Sequence, residues 1–193
     1  MKNQNQLNPT ESLQIISEAI HQTKENIKEQ SFYYIMWGWI IAIASFTHYL
    51  LLAFTNLKQS HLVWSILIPL GWILSIIYTI KKEKKLKYET YLDTFLKNLW
   101  IVIGVSFFII KFISFSLKVN PTAFILLLTG IGTLISGLTM KFKPLAIGGV
   151  LLFIFSIISL YVNNSETLLV NGIAIIIGFL IPAYLLKNLN NSN

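Results

Sequence analysis

Six apolar runs, each nineteen residues or longer, follow one another along this chain. That is the length needed to cross a hydrocarbon core of about 30 Å at a helical rise of about 1.5 Å per residue. The runs cover 32–54, 62–80, 98–117, 122–140, 145–163 and 167–186. Composition agrees: 54% of the 193 residues are hydrophobic and 12% are charged. A soluble domain carries about a quarter charged residues, so this chain lacks the charge to coat a globule. The reading is all-α, an integral membrane bundle of about six transmembrane helices.

The first run is not a secretory leader. Some thirty polar residues precede it, and the cleavage-like Ala42-Ile43-Ala44 lies in its middle. A leader's apolar segment is shorter and starts nearer the N-terminus. Within the polar stretch, Asn8-Pro9-Thr10-Glu11 reads as a helix start: Asn caps, Pro suits the first helical position, and an acid follows at capping-box spacing. Leu13, Ile16, Ile20 and Ile27 then recur at helical spacing among Glu18, Lys24, Glu25, Lys28 and Glu29. Residues 1–30 are therefore expected to form a separate amphipathic cytoplasmic helix, 31–187 a six-span membrane domain, and 188–193 a short cytoplasmic tail. Three lysines against four glutamates in the first thirty residues disfavour adhesion to anionic lipid, which selects a basic face. A stripe like this is expected to pack on protein. Tyr88, Tyr91, Leu92, Phe95 and Leu96 suggest a helical lead-in to the third span.

All fifteen basic residues are lysine, and they lie in connectors without an interleaved aromatic face, so nucleic acid is not an expected partner. Placing the N-terminus inside puts twelve lysines on the inner side and three, Lys58, Lys111 and Lys118, on the outer. The positive-inside bias then gives cytoplasmic termini. Tyr33, Tyr34, Trp37 and Trp100 fall near the inner boundary and Trp64 near the outer, where aromatic belts lie. Trp72, in mid-span, fits no belt.

Two groups of residues are candidate sites. Thr129, Gly132, Thr133, Ser136 and Gly137 give the fourth run a small-residue face, which allows backbones to approach closely within the chain or across a dimer. Lys111, Asn171, His48, Glu166 and His61 come from separate runs yet share the outer leaflet. Lys111 lies about 10 Å inside the third run, where a charge must snorkel, pair or meet water. The polar cluster could form an outward-facing cavity in which Lys111 binds an anion or pairs with Glu166. Pro69 and Pro182 interrupt two runs at non-corresponding places, so no inverted repeat is indicated, and packing kinks are expected.

Catalysis has no visible machinery. With no cysteine, disulfides, thiolate metal sites and Cys nucleophiles are excluded. No zincin, nucleophile-elbow or phosphate-loop motif occurs, and three scattered histidines do not make a metal site. No cofactor is expected.

Glu11-Ser12-Leu13-Gln14-Ile15-Ile16, Ser31-Phe32-Tyr33-Tyr34, Trp37-Gly38-Trp39 and the segment from Lys141 to Gly149 resemble stretches of uncharacterised bacterial multi-pass membrane proteins of unknown function. The resemblance implies a small protein of the bacterial inner membrane and carries no activity or site residue with it. The functional expectation is a non-enzymatic membrane protein acting through helix association, as a homo-oligomer or with a membrane or cytoplasmic partner, in contact with the lipid bilayer throughout. The alternative is a small transporter or channel built on the cluster around Lys111.

Overall fold

No proline follows Pro9 until well beyond Phe54, and the one glycine between them, Gly38, lies inside an apolar run. Nothing in the sequence stops a helix across that interval, and in the computed structural model none stops. Residues 9–55, 59–83, 91–163 and 165–188 are described, with backbone alone for 9–12, 14–29 and 82–83. The expected Asn8 cap, Lys58, residues 84–90 with Tyr88, the side chains of Ile16, Ile20 and Ile27, and the tail past 188 lie outside the described set.

The first helix, α1, runs unbroken over Pro9–Phe54. The expected separate amphipathic helix is therefore a correction: residues 9–29 are the front of the same helix whose Gln30–Phe54 part is the first candidate span. Next come α2 (Leu62–Glu83), α3 (Tyr91–Leu117), α4 (Thr122–Thr139) and α5 (Lys143–Ile158). The last rod comprises α6 (Thr167–Ile175), a single π-helical turn (Ile176–Leu180) and α7 (Ile181–Asn188). The expected lead-in to the third span is present from Tyr91 onward.

Five of these helices are long and apolar enough to cross a membrane, and the protein is a multi-pass helical membrane protein. The fifth expected span, 145–163, is corrected in length. α5 has 16 residues, because the chain tightens into turns after Ile158. Leu160 N–H donates to the Ile157 carbonyl, Tyr161 N–H to that of Ile158, and the Ser159 hydroxyl to the Ser156 carbonyl at 2.7 Å.

Successive helices alternate in direction. Ser156 Oγ donates to the Ala123 carbonyl at 2.7 Å, Gly149 lies on Leu134, and Gly137 lies on Ala146. α5 thus returns along the whole of α4. Tyr34 meets Phe179 and Gly172 meets Phe46, so the last rod runs antiparallel to α1. The Gln30 end of the first span and the Asn188 end of the last rod therefore lie at the same end of the bundle. α3 and α4 end in αL lysines, Lys118 (φ 54°) and Lys141 (φ 53°). Val119 N–H reaches back to the Ser114 carbonyl and Phe142 N–H to that of Gly137, the Schellman closure that turns a chain within a few residues.

The core is α5 between α4 and the last rod. A methyl at Gly137 would strike the backbone nitrogen of Ala146, and one at Gly148 the carbonyl oxygen of Gly178. Pro182 cannot donate to that same Gly178 carbonyl, and the π-turn just before it takes up the extra residue. α2 by contrast keeps α-helical geometry through Pro69. α2 and α3 sit at the edges, with most of their apolar side chains exposed.

The close approaches predict a sharp contrast. Gly148→Ala should destabilise the bundle by about 1–3 kcal/mol, as overpacking does. Gly104→Ala, whose new methyl would meet Trp72 at an ordinary 3.5 Å, should melt within a degree or two of wild type. Thermal unfolding in detergent reads both.

Candidate functional site

α1 carries a polar register down its length, and each neighbouring helix reads part of it. Toward the Phe54 end of α1, Ser45 and His48 lie one turn apart. Trp64 Nε1, on α2, donates to His48 Nδ1 at 3.0 Å. The neutral ring then holds its proton on Nε2 and presents it as a donor. Lys111 of α3 and His61, just before α2, are two further members of the expected cluster. Both are exposed side chains.

The other two members of the expected outer cluster go elsewhere. Asn171 is 4% exposed, and its Nδ2 donates to Ser45 Oγ at 2.7 Å. Ser45 Oγ in turn donates to the Ile41 carbonyl at 2.8 Å. Asn171 Oδ1 is buried with no hydrogen-bond partner. Glu166 is exposed and accepts from Asn163 Nδ2 at 3.3 Å. Among the described residues no ion pair joins Glu166 to Lys111. The structure thus joins His48 to Trp64, seals Asn171 between α1 and α6, and leaves Lys111, His61 and Glu166 exposed.

The small-residue face of α4 is used within the chain. Thr129 is 2% exposed, and Thr133 and Ser136 are fully buried. Gly132 faces Ile103 and Trp100 of α3, while Gly137 faces the backbone of α5. Thr129 and Thr133 hydroxyls donate to the carbonyls of Ile125 and Thr129, each at 2.7 Å. The Ser136 hydroxyl lies toward the Tyr34 phenol but outside hydrogen-bond geometry.

Toward the Gln30 end of α1 the aromatic residues join helices. Tyr34 is 2% exposed and accepts from Trp100 Nε1 at 3.1 Å, with Phe179 against both rings. Trp37 Nε1 donates to Ser75 Oγ at 3.1 Å, and the Tyr33 and Thr79 hydroxyls share a bond of 2.9 Å. Trp72, the residue that suited no belt, stands edge-on to Trp37 at 5.8 Å and lies over Gly104.

Two polar residues escaped the sequence reading. Asp93, placed there in a connector, is 8% exposed inside α3 and accepts from Gln30 Nε2 at 3.1 Å. Its signal was register, since Asp93, Leu96, Trp100 and Ile103 fall on one helical face. Asn120 caps α4 by accepting from Thr122 N–H at 2.9 Å, and its Nδ2 reaches Thr167 Oγ1 at 2.8 Å. The Asn120-Pro121 pair ahead of an apolar run was the available clue. Compared with known proteins, the chain matches no family model, no curated protein and no solved structure.

The Ser45–Asn171 bond can be isolated. Ser45→Ala leaves a buried amide with no partner on either atom and should cost about 1 kcal/mol. In an Asn171→Leu background the same change should cost close to nothing. The resulting coupling, about 0.6 kcal/mol and at most about 1.7 for such pairs in membranes, is read by a double-mutant cycle on detergent unfolding.

Proposed function

We propose that this chain is a non-enzymatic membrane protein that works by helix association, with the front of α1 as its contact arm. The observation that carries the reading is the continuity of α1 from Pro9 to Phe54. Residues 9–29 extend about 30 Å beyond the first span as part of the same helix. An arm of this kind transmits a contact made at its tip to the membrane core. Its content favours a protein over lipid, since four glutamates against two lysines do not suit an anionic surface. The small-residue face of α4, the other expected contact, is already occupied by α3 and α5, which leaves the arm as the candidate surface for a second copy or another protein.

In this reading α5 crosses as well, as the fifth of six spans. It returns along all of α4, and α4 has only 18 residues itself. The lysine bias supports a reading with both termini in the cytoplasm, and the membrane in this reading is the bacterial inner membrane.

The lack of native cysteine makes both parts testable. Ser165→Cys should react with a membrane-impermeant maleimide in intact cells, and Lys141→Cys only after permeabilisation; the reverse order would refute the orientation. Removing residues 9–29 should abolish cross-linking of the detergent-purified protein to itself or to a co-purifying protein, with the melting temperature held within about 2 °C. Association that persists at wild-type strength in the truncated chain rules the arm out.

A further inference from the structure

α3 spends little of its surface on the bundle. Its buried residues, Asp93, Leu96, Ile103, Gly104 and Ser114, share one face. The opposite face carries Asn98, Ile101, Val105, Phe108, Phe112 and Phe115, at alternating steps of three and four residues. All six are exposed, and Phe108, Phe112 and Phe115 are so by 63%, 72% and 82%. A step averaging about 3.5 residues keeps a row of side chains against a second helix that crosses at about 20°. Acyl chains impose no such spacing.

Asn98 sets this row apart from a plain lipid-facing strip. Among the described residues its amide has no hydrogen-bond partner. It lies within the Tyr91–Leu117 span, two residues before the Trp100 that bonds to Tyr34 and packs over Gly132. Lipid tails offer an amide nothing to bond. A notch of about 310 Å³ opens beside it, lined by Tyr91, Thr94, Phe95, Leu99 and Val102. The outer face of α2 is the contrast. Ile66, Ile73, Ile77 and Ile80 are exposed there, and no amide interrupts them.

We propose that the outer face of α3 is a self-association surface, and that its partner is α3 of a second copy. This rests on the association reading and names its partner. Copies in one membrane share one orientation, so the pair is parallel and two-fold, and each residue of the row meets its own counterpart. An amide both donates and accepts, so the Asn98 side chains of two copies satisfy each other. One such residue in an apolar seam fixes its register. Lys97 and Lys111 recur with Gly104 every seven residues on the flank where Gly104 meets Trp72, so lysine does not oppose lysine across the seam. Covering the three phenylalanines on both copies removes about 900 Å² of surface, at about 200 Å² for each fully exposed ring. Tyr91, Ile101 and Val105 add enough to pass the roughly 1,200 Å² at which specific interfaces begin. Gln30 Nε2 donates to Asp93 Oδ1 at 3.1 Å, so the seam and the arm of α1 start at the same end of the bundle and one association engages both.

The chain has no cysteine, so single cysteines read the seam by oxidative cross-linking of the full chain in membrane vesicles. Val105→Cys, Phe108→Cys and Phe112→Cys should form disulfide dimers. Ile113→Cys, 47% exposed but off the row, should stay at the level of random collision, because adjacent helical residues do not share a face. Ile73→Cys on α2 should match that low level. Asn98→Leu should lower the dimer yield of Val105→Cys about threefold, the size of one interhelical polar bond in membranes, and Asn98→Gln should keep it. Equal yields from Phe112→Cys and Ile113→Cys overturn the proposal, as does an undiminished yield with Asn98→Leu. Dimers on this row in a chain lacking residues 9–29 keep the seam and dismiss the arm. Association of the purified chain without the three-and-four pattern keeps the arm and overturns the seam.

Discussion

In hydrocarbon, apolar side chains gain little by meeting each other, because lipid tails are as apolar as leucine. What holds helices together there is nearness of backbones, and in this bundle that nearness is concentrated on α5. Gly137 admits the backbone of Ala146, Gly149 lies on Leu134, and Gly148 lies on the Gly178 carbonyl. The last contact depends on a defect in the rod. Pro182 removes the donor that Gly178 would otherwise meet, and the π-turn re-aims the segment so that this carbonyl faces α5. A local fault in one helix thus becomes the closest approach between two. The Cα–H groups of Gly148 suit a weak bond to that oxygen.

Around this core the remaining helices are joined by polar contacts made from α1. Trp37 reaches Ser75 and Trp64 reaches His48 toward α2. Trp100 reaches Tyr34 from α3. Asn171 reaches Ser45, and Trp39 reaches Tyr184 at 2.9 Å, toward the last rod. Each is worth about 0.6 kcal/mol in membranes, too little to hold a helix by itself. Distributed along α1 they fix its rotation and depth, because each is satisfied in only one register. The glycine core supplies adhesion, and these bonds supply the unique arrangement.

The parts of the fold that depend on composition were legible in the sequence. Apolar run length located the helices, and short connectors gave their alternation. The missed features depend on local pairing. The polar-to-apolar change near Gln30 looks like a domain boundary, yet helix continuity depends on breakers, and none is present there. The end of α5 was set by Ser159 and its bond to Ser156 rather than by hydropathy, which stays high through Val162. Small residues announced close packing on α4 without naming the partner, because a glycine's own sequence carries no record of what fills its space. The aromatic residues near Tyr34 have the composition of a belt, and only tertiary contact shows that their polar atoms bond to other helices. Lysine counting did isolate Lys111, since a charge that topology fails to explain is visible without any structure.

α1 runs without a break from the proposed contact arm through the bundle. The arm precedes Gln30, and His48 sits five turns further along the same unbroken helix. A tilt of about 5° in the first span, pivoting at its inner end, moves the tip of a 30 Å arm by about 3 Å. The contacts that resist such a tilt are the packing of α1 on the last rod, at Gly38 against Leu180 and Gly172 against Phe46, and the side-chain bonds to α2 and α3. If an arm partner favours one tilt of α1, that preference is shared with the last rod on which α1 packs, since coupling between sites on one equilibrium is reciprocal.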